Sequence, residues 1–184
     1  MRIWPLALVV FVSGCASELT SVQPTRSEAR LTTAEAFIDA FYSFDLPRLR
    51  IAMADAPGST GDTLYYQQWA EAGHYVVLDR KPCRFEKLDE VVCPVTVKDD
   101  LVPALGLAFH VTDNFHFAFE DGRIAKVWNS SNDPPEFHQA MEWLRREQPK
   151  IFTGPCRGIW EGGPTPKDCV RAVVNGFKDF AARR

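Results

Sequence analysis

The apolar positions of this chain change their period several times, and each change marks an element. Thr32-Thr33-Ala34-Glu35 has the form of a capping box, and Phe37, Ala40, Phe41 and Phe44 follow at helical spacing, which predicts a first helix over 33–44. Asp45 is placed to cap a short second helix that starts near Pro47, carries Leu49, Ile51, Ala52 and Met53, and stops before Pro57-Gly58. Residues 59–62 read as a loop. A third helix is expected over 63–72, with Leu64, Tyr65, Gln68, Trp69 and Ala72 as its members and Gly73 at its end.

After Gly73 the period becomes two. Strands are expected over 75–85, 91–97, 105–112, 114–119 and 124–129, with turns at Asp99-Asp100 and Asp121-Gly122. The Asp-Gly pair suits a two-residue type I′ hairpin. An unbroken register from that turn sets Phe119 opposite Ile124, Phe117 opposite Lys126 and Phe115 opposite Trp128, and turns His116, Ala118, Ala125 and Val127 to the other side. Beyond the strands, Asp133-Pro134-Pro135 opens a helix over 134–147 with Phe137, Met141, Trp143 and Leu144. A Gly- and Pro-rich loop follows, and a last helix is expected from Pro166 with Cys169, Val170, Val173, Val174 and Phe177 buried.

Helices followed by an antiparallel sheet make an α+β chain with N-terminal helices packed on a curved sheet. Over residues 31–131 this order, with Ala34-Glu35-Ala36-Phe37 through Asp45 and the hairpin Phe117-Ala118-Phe119-Glu120-Asp121-Gly122-Arg123-Ile124, resembles the nuclear transport factor 2-like superfamily, including its SnoaL-like and ketosteroid-isomerase-like branches. The resemblance implies a cone-shaped, cystatin-like domain with a cavity between helices and sheet. It also implies that enzymes of this group place an Asp, His or Tyr in that cavity. Residues 132–184 exceed the minimal pattern as a C-terminal helical extension, which either covers the open end of the cone or extends the helical layer.

The N-terminus reads as an address. Arg2 precedes an apolar stretch from Ile3 to Val12 and then small residues, the order of a secretory signal. A spanning helix needs roughly 20 apolar residues, and this run is about half that and contains Pro5. Val12-Ser13-Gly14-Cys15 resembles the bacterial lipobox, which implies removal of residues 1–14 and acylation of Cys15, including a palmitate-type chain. At about 0.8 kcal/mol per buried CH₂, two or more chains hold a protein on a membrane where one does not. Ala16 is not the aspartate associated with inner-membrane retention, so a periplasm-facing place on the outer membrane is expected. Residues 15–30, rich in Ser, Thr, Glu and Arg, read as a flexible tether.

Charge narrows the partners. With 21 basic and 24 acidic residues the chain is mildly acidic, and no basic patch with interleaved aromatics points to nucleic acid. Of five cysteines, Cys15 is assigned to lipid, and an exported compartment lets the other four pair. Cys83 and Cys93 flank a hairpin centred on Leu88, and Cys156 and Cys169 flank the C-terminal loop, so the expected bridges are Cys83–Cys93 and Cys156–Cys169. No CxxC or HxxH spacing suggests a metal, and no phosphate loop, nucleophile elbow or cofactor motif is present.

Candidate cavity residues are Phe41, Tyr42, Tyr65, Trp69, Phe117 and Trp128, with Tyr66 beside them. Core packing explains most of them equally well. His110 and His116, expected on adjacent strands with Asp113 in the turn between them, are the candidate acid–base set. His74 is expected to meet helix-end carbonyls, and Lys81, Arg84 and Lys87 to solvate a strand edge. With a strong anchor and no assembled active site, the leading expectation is a non-enzymatic, lipid-anchored envelope protein that binds a small hydrophobic ligand or a protein partner. The alternatives are a cofactor-independent isomerase, dehydratase or cyclase and a structural subunit of an envelope complex.

Overall fold

A computed structural model describes residues 25–158 and 167–184. The signal segment, the lipobox with Cys15, and Pro166 lie outside the described residues. Helix α1 (Arg26–Phe41) begins inside the segment expected as tether, because a different capping box starts it. The Thr25 hydroxyl accepts from the Glu28 N–H at 3.2 Å, and the Glu28 carboxylate accepts from the Thr25 N–H at 2.7 Å. Thr32 and Thr33, expected at the cap, sit mid-helix and donate their hydroxyls back to the Glu28 and Ala29 carbonyls.

Helix α2 (Leu46–Ala52) is capped by Asp45, which accepts from the Arg48 N–H at 3.1 Å. Helix α3 (Pro57–Ala72) absorbs residues 59–62, expected as a loop: Pro57 occupies the first turn, where its missing N–H costs nothing, and so starts a helix where the sequence suggested a stop.

The sheet is antiparallel and five-stranded, in the order β1-β3-β4-β5 with β2 also beside β3. The expected strand 75–85 is two, β1 (Val76–Arg80) and β2 (Arg84–Lys87), separated at Lys81-Pro82-Cys83 because Pro82 has no N–H for the ladder. Strand β3 (Glu90–Lys98) pairs with both. No strand covers 105–110. Asp99 instead caps a short helix, α4 (Leu101–Ala104), and Gly106 turns the chain at φ +75°. Strand β4 (Val111–Glu120) then runs without interruption through Asp113 and Asn114, paired with β3 from Val97↔Val111 to Glu90↔Ala118.

The β4–β5 hairpin, with β5 spanning Arg123–Ser131, turns on Asp121 and Gly122, both at positive φ as the type I′ turn requires. Phe119 does face Ile124, but a bulge shifts the rest, so Phe117 faces Val127, His116 faces Trp128 and Phe115 faces Asn129. The bulge corrects the expected facing of Val127, which turns to the core with Ile124.

Helices α5 (Pro135–Glu147), α6 (Lys150–Thr153) and α7 (Lys167–Ala181) complete the described chain. Disulfides join Cys83 to Cys93 and Cys156 to Cys169, with Cα atoms 4.2 Å and 4.6 Å apart. Two apolar cores result. One packs α1, α2 and α3 on β3, β4 and β5, and the other gathers Trp69 with α4, α5 and α7. At Gly176 a Cβ would lie 2.3 Å from a Leu144 methyl, so α7 and α5 touch closely. Among the described residues no helix is long and apolar enough to cross a membrane.

Candidate functional site

Alternation along β4 turns Val111, Asp113, Phe115, Phe117 and Phe119 toward the helices, all buried. Asp113 is the one polar member of that row, and it is only 1% exposed. The Tyr42 hydroxyl donates to its Oδ2 at 3.2 Å, and Tyr66 lines the same cavity beside it. Its Oδ1 has no hydrogen-bond partner among the described residues.

Burial pushes the Asp113 carboxyl up to about 7. The neighbouring Tyr66 and Tyr42 hydroxyls pull the other way, and the charges of Asp133 and Asp99 add to the rise. Tyr42, Tyr66 and Tyr75 are all held well above the ordinary phenol range, first by burial and then by the negative charge of Asp113. They therefore stay protonated and act as donors. The Trp69 indole beside Tyr75 pulls its phenol slightly the other way.

The helices fix these groups by a buried amide. Gln67 on α3 donates from Nε2 to the carbonyls of Ala40 and Phe41 at 3.1 and 2.8 Å, locking α3 to the end of α1. Tyr42 and Tyr66, each next to one of the locked residues, are set over Asp113 by that lock. Asp99, the other buried carboxyl nearby, serves the start of α4, its Oδ1 accepting from the Leu101 and Val102 N–H groups at 2.6 and 2.8 Å. Asp113 has no such backbone partners.

A cavity of about 510 Å³ opens over Asp113. Asp113, Asn129 and Ser131 from β4 and β5 line one side, Tyr65, Tyr66 and Trp69 of α3 with Tyr75 another, and Phe137 and Met141 of α5 a third. Asp62, Asn129, Ser131, His138, Glu142 and Arg145 are its exposed members, and Asp133 is half-buried. The volume falls in the range of small-molecule pockets, and the lining sets aromatic rings beside four carboxyl groups.

Of the expected cavity residues, Tyr65 and Trp69 line this space. Tyr42 reaches it through Asp113, whereas Phe41 and Phe117 are core residues packed with Phe115 and Phe37. Trp128 stacks on His116, ring centroids 5.2 Å apart and planes nearly parallel.

The acid–base set His110, His116 and Asp113 is not brought together. His110 is exposed in the irregular segment before β4, and His116 shares a strand with Asp113 but points to the opposite sheet face. Asp113 lies in mid-strand, not in a turn. His74 does not cap the helix end by its ring, which meets the Asp100 carboxylate at 2.6 Å.

His116, with Glu86 and Glu90, offers three possible metal-ligand atoms within 4.8 Å of one another on that outer face. There Lys87 already pairs with Glu90 and Ser130 with His116. Tyr75, Asn129, Ser131, Asp133, Phe137 and Met141 also line the cavity, and local spacing does not single them out. The available signal was the phase of Asp113, two residues before Phe115 in the same alternating row.

No protein-family model matches the chain, and a search of curated proteins finds no match. Among solved structures the chain is similar to a de novo designed β-sheet protein determined by solution NMR. The two are 15% identical, the match covers 60% of this chain and 91% of that one, and the TM-score is 0.43.

Proposed function

We propose that this protein is a lipid-anchored component of the bacterial cell envelope, cut before Cys15, with a nuclear transport factor 2-like cone that binds a small organic ligand. The reading rests on the cavity over Asp113, about 510 Å³, where a buried carboxyl oxygen has no donor among the described residues. A buried acceptor left unmet costs on the order of 1–3 kcal/mol, so a ligand that supplies a donor recovers that cost on binding. The rings and Met141 take the ligand's apolar body.

The test is native mass spectrometry of the full-length chain released from detergent micelles after exposure to mixed small hydrophobes and lipids. A retained ligand, lost on Trp69→Ala, is the expected result, and an empty protein under all conditions refutes the reading. The anchor is tested separately: Cys15→Ser is expected to block palmitate labelling and release the protein from the membrane fraction.

A second reading, cofactor-independent proton transfer as in an isomerase or dehydratase, is favoured by Asp113 itself. A carboxyl at about 7 beside neutral phenols accepts and returns a proton at neutral pH with little bias. Here Asp113 takes a proton from a ligand carbon and delivers it to another, while a tyrosine hydroxyl donates to the oxygen that gains charge. Incorporation of deuterium from D₂O into a retained ligand, lost in Asp113→Asn, supports catalysis over binding alone.

A further inference from the structure

The charge and ring content of the cavity narrow the ligand further than size does. Asp62, Asp113, Asp133 and Glu142 bring four carboxyl groups to it, against Arg145 as its one guanidinium. Tyr66 and Tyr75 meet edge to face at 6.5 Å, with Trp69 beside them, so the space next to Asp113 is walled by aromatic rings. Aromatic faces carry negative quadrupole density and attract cations. The Tyr42 phenol is the donor to Asp113 Oδ2, and Oδ1 has no donor among the described residues.

A carboxylate or phosphate ligand would face four carboxyl groups against one guanidinium, and the phenol donors alone do not offset that repulsion. A neutral alcohol would satisfy Oδ1 and gain nothing from the rings or the other carboxylates. An ammonium group does all three: it donates to Oδ1, sits against ring faces and answers the excess negative charge.

We infer that the ligand is an organic ammonium ion, its cationic head seated between Asp113 and the rings of Tyr66, Trp69 and Tyr75, and its apolar body running toward Phe137 and Met141 on α5. This rests on the ligand-binding reading above and specifies the chemistry of what is bound. The groups that face Asp113 are Tyr42 from α1, Tyr66 from α3, Tyr75 ahead of β1, Asp99 ahead of α4 and Asp133 after β5. The phenols remain neutral, so a bound cation is balanced by the carboxyl groups alone.

Isothermal titration of the full-length chain in detergent with three phenylethyl probes that differ in head group tests this: 2-phenylethylammonium, 2-phenylethanol and 3-phenylpropanoate. The ammonium is expected to bind on the order of tenfold to a hundredfold tighter than the alcohol. Its affinity is expected to rise between about pH 5 and 8 as Asp113 ionises, with His138→Gln carried as a control for the rim imidazole. Asp113→Asn is expected to bring the ammonium down to the level of the alcohol. The exposed rim variant Glu142→Gln, which leaves folding alone, is expected to weaken only the ammonium, by about threefold.

Alcohol or propanoate binding as tightly as the ammonium overturns the inference while leaving the cavity a ligand site. If no probe binds, the inference falls, and the ligand-binding reading falls with it only if native mass spectrometry also finds the cavity empty.

Discussion

The two ends of one strand face have opposite fates. At the Phe117–Phe119 end of β4 every position is filled. Phe37 of α1 meets Phe117 edge to face at 4.9 Å, and the Arg30 guanidinium lies 5.7 Å over the Phe119 ring. At the other end, four residues before Phe117, the same row presents Asp113 to a cavity bordered by α3 and α5. The filled end gains from dispersion and from apolar area removed from water. The open end forgoes that gain and carries a buried acid whose proton affinity rises in response. A binding site is thus made here by interrupting an apolar row at one position, with the sheet itself left regular.

Breaking the filled end is expected to give the largest effect. Phe117→Ala removes a fully buried ring and should destabilise the protein by about 3–5 kcal/mol in chemical denaturation. A loss no larger than that of Asp113→Asn would show that the two ends do not differ as described.

Stability against pH sharpens the other side. Below the ordinary value of 3.8 Asp113 is protonated in both folded and unfolded chains, and its contribution is fully present. Between there and about 7 the unfolded chain ionises while the native one holds its proton. Stability then falls as pH rises, by about 1.4 kcal/mol per pH unit, and the contribution is gone above the native value. Asp113→Asn is expected to remove that slope. Denaturation curves of the two proteins that run parallel from pH 4 to 7 would mean that Asp113 is not the buried acid described.

Why Asp113 was misplaced in the sequence shows what local pattern can and cannot carry. Thr112-Asp113-Asn114 has turn composition, and nothing nearby outweighs it. Continuity comes from β3, whose pairing runs through those residues without a break. The hairpin turn at Asp121-Gly122, the Asp45 cap and the two disulfides were readable because each is settled within a short stretch. The bulge between Ala118 and Phe119 was not, since it answers to the core's demand for both Ile124 and Val127, three residues apart. Trp69 and Tyr65 were reachable from helical spacing. Their convergence on Asp113 and α5 depends on how α3 crosses the sheet, which no local period reports.

The disulfides allow the two ends to be loosened one at a time. Cys83–Cys93 belongs to the core that includes Phe117, and Cys156–Cys169 to the core that includes Trp69 and α5. Replacing either pair by serine should cost about 2–3 kcal/mol through the freed unfolded chain. Only loss of Cys156–Cys169, which secures α7 behind α5, is expected to weaken ligand retention as well. Equal retention in both variants would mean that α5 is held in place without the bridge.

The smallest effect expected comes from the first turn of α1, which crosses the filled end at Arg30 and reaches the open end at Tyr42. Thr25→Ala removes the hydroxyl that accepts from the Glu28 N–H and leaves the reciprocal bond to the Thr25 N–H without its partner feature. The expected loss is about 1 kcal/mol, typical of an N-cap. Because the cap lies four turns from Tyr42, hydrogen exchange should quicken for the amides of residues 26–29, while the pH slope set by Asp113 stays as it is. A change in that slope would show that α1 transmits strain along its whole length, and that the two ends of the β4 row are one mechanical unit instead of two separable ones.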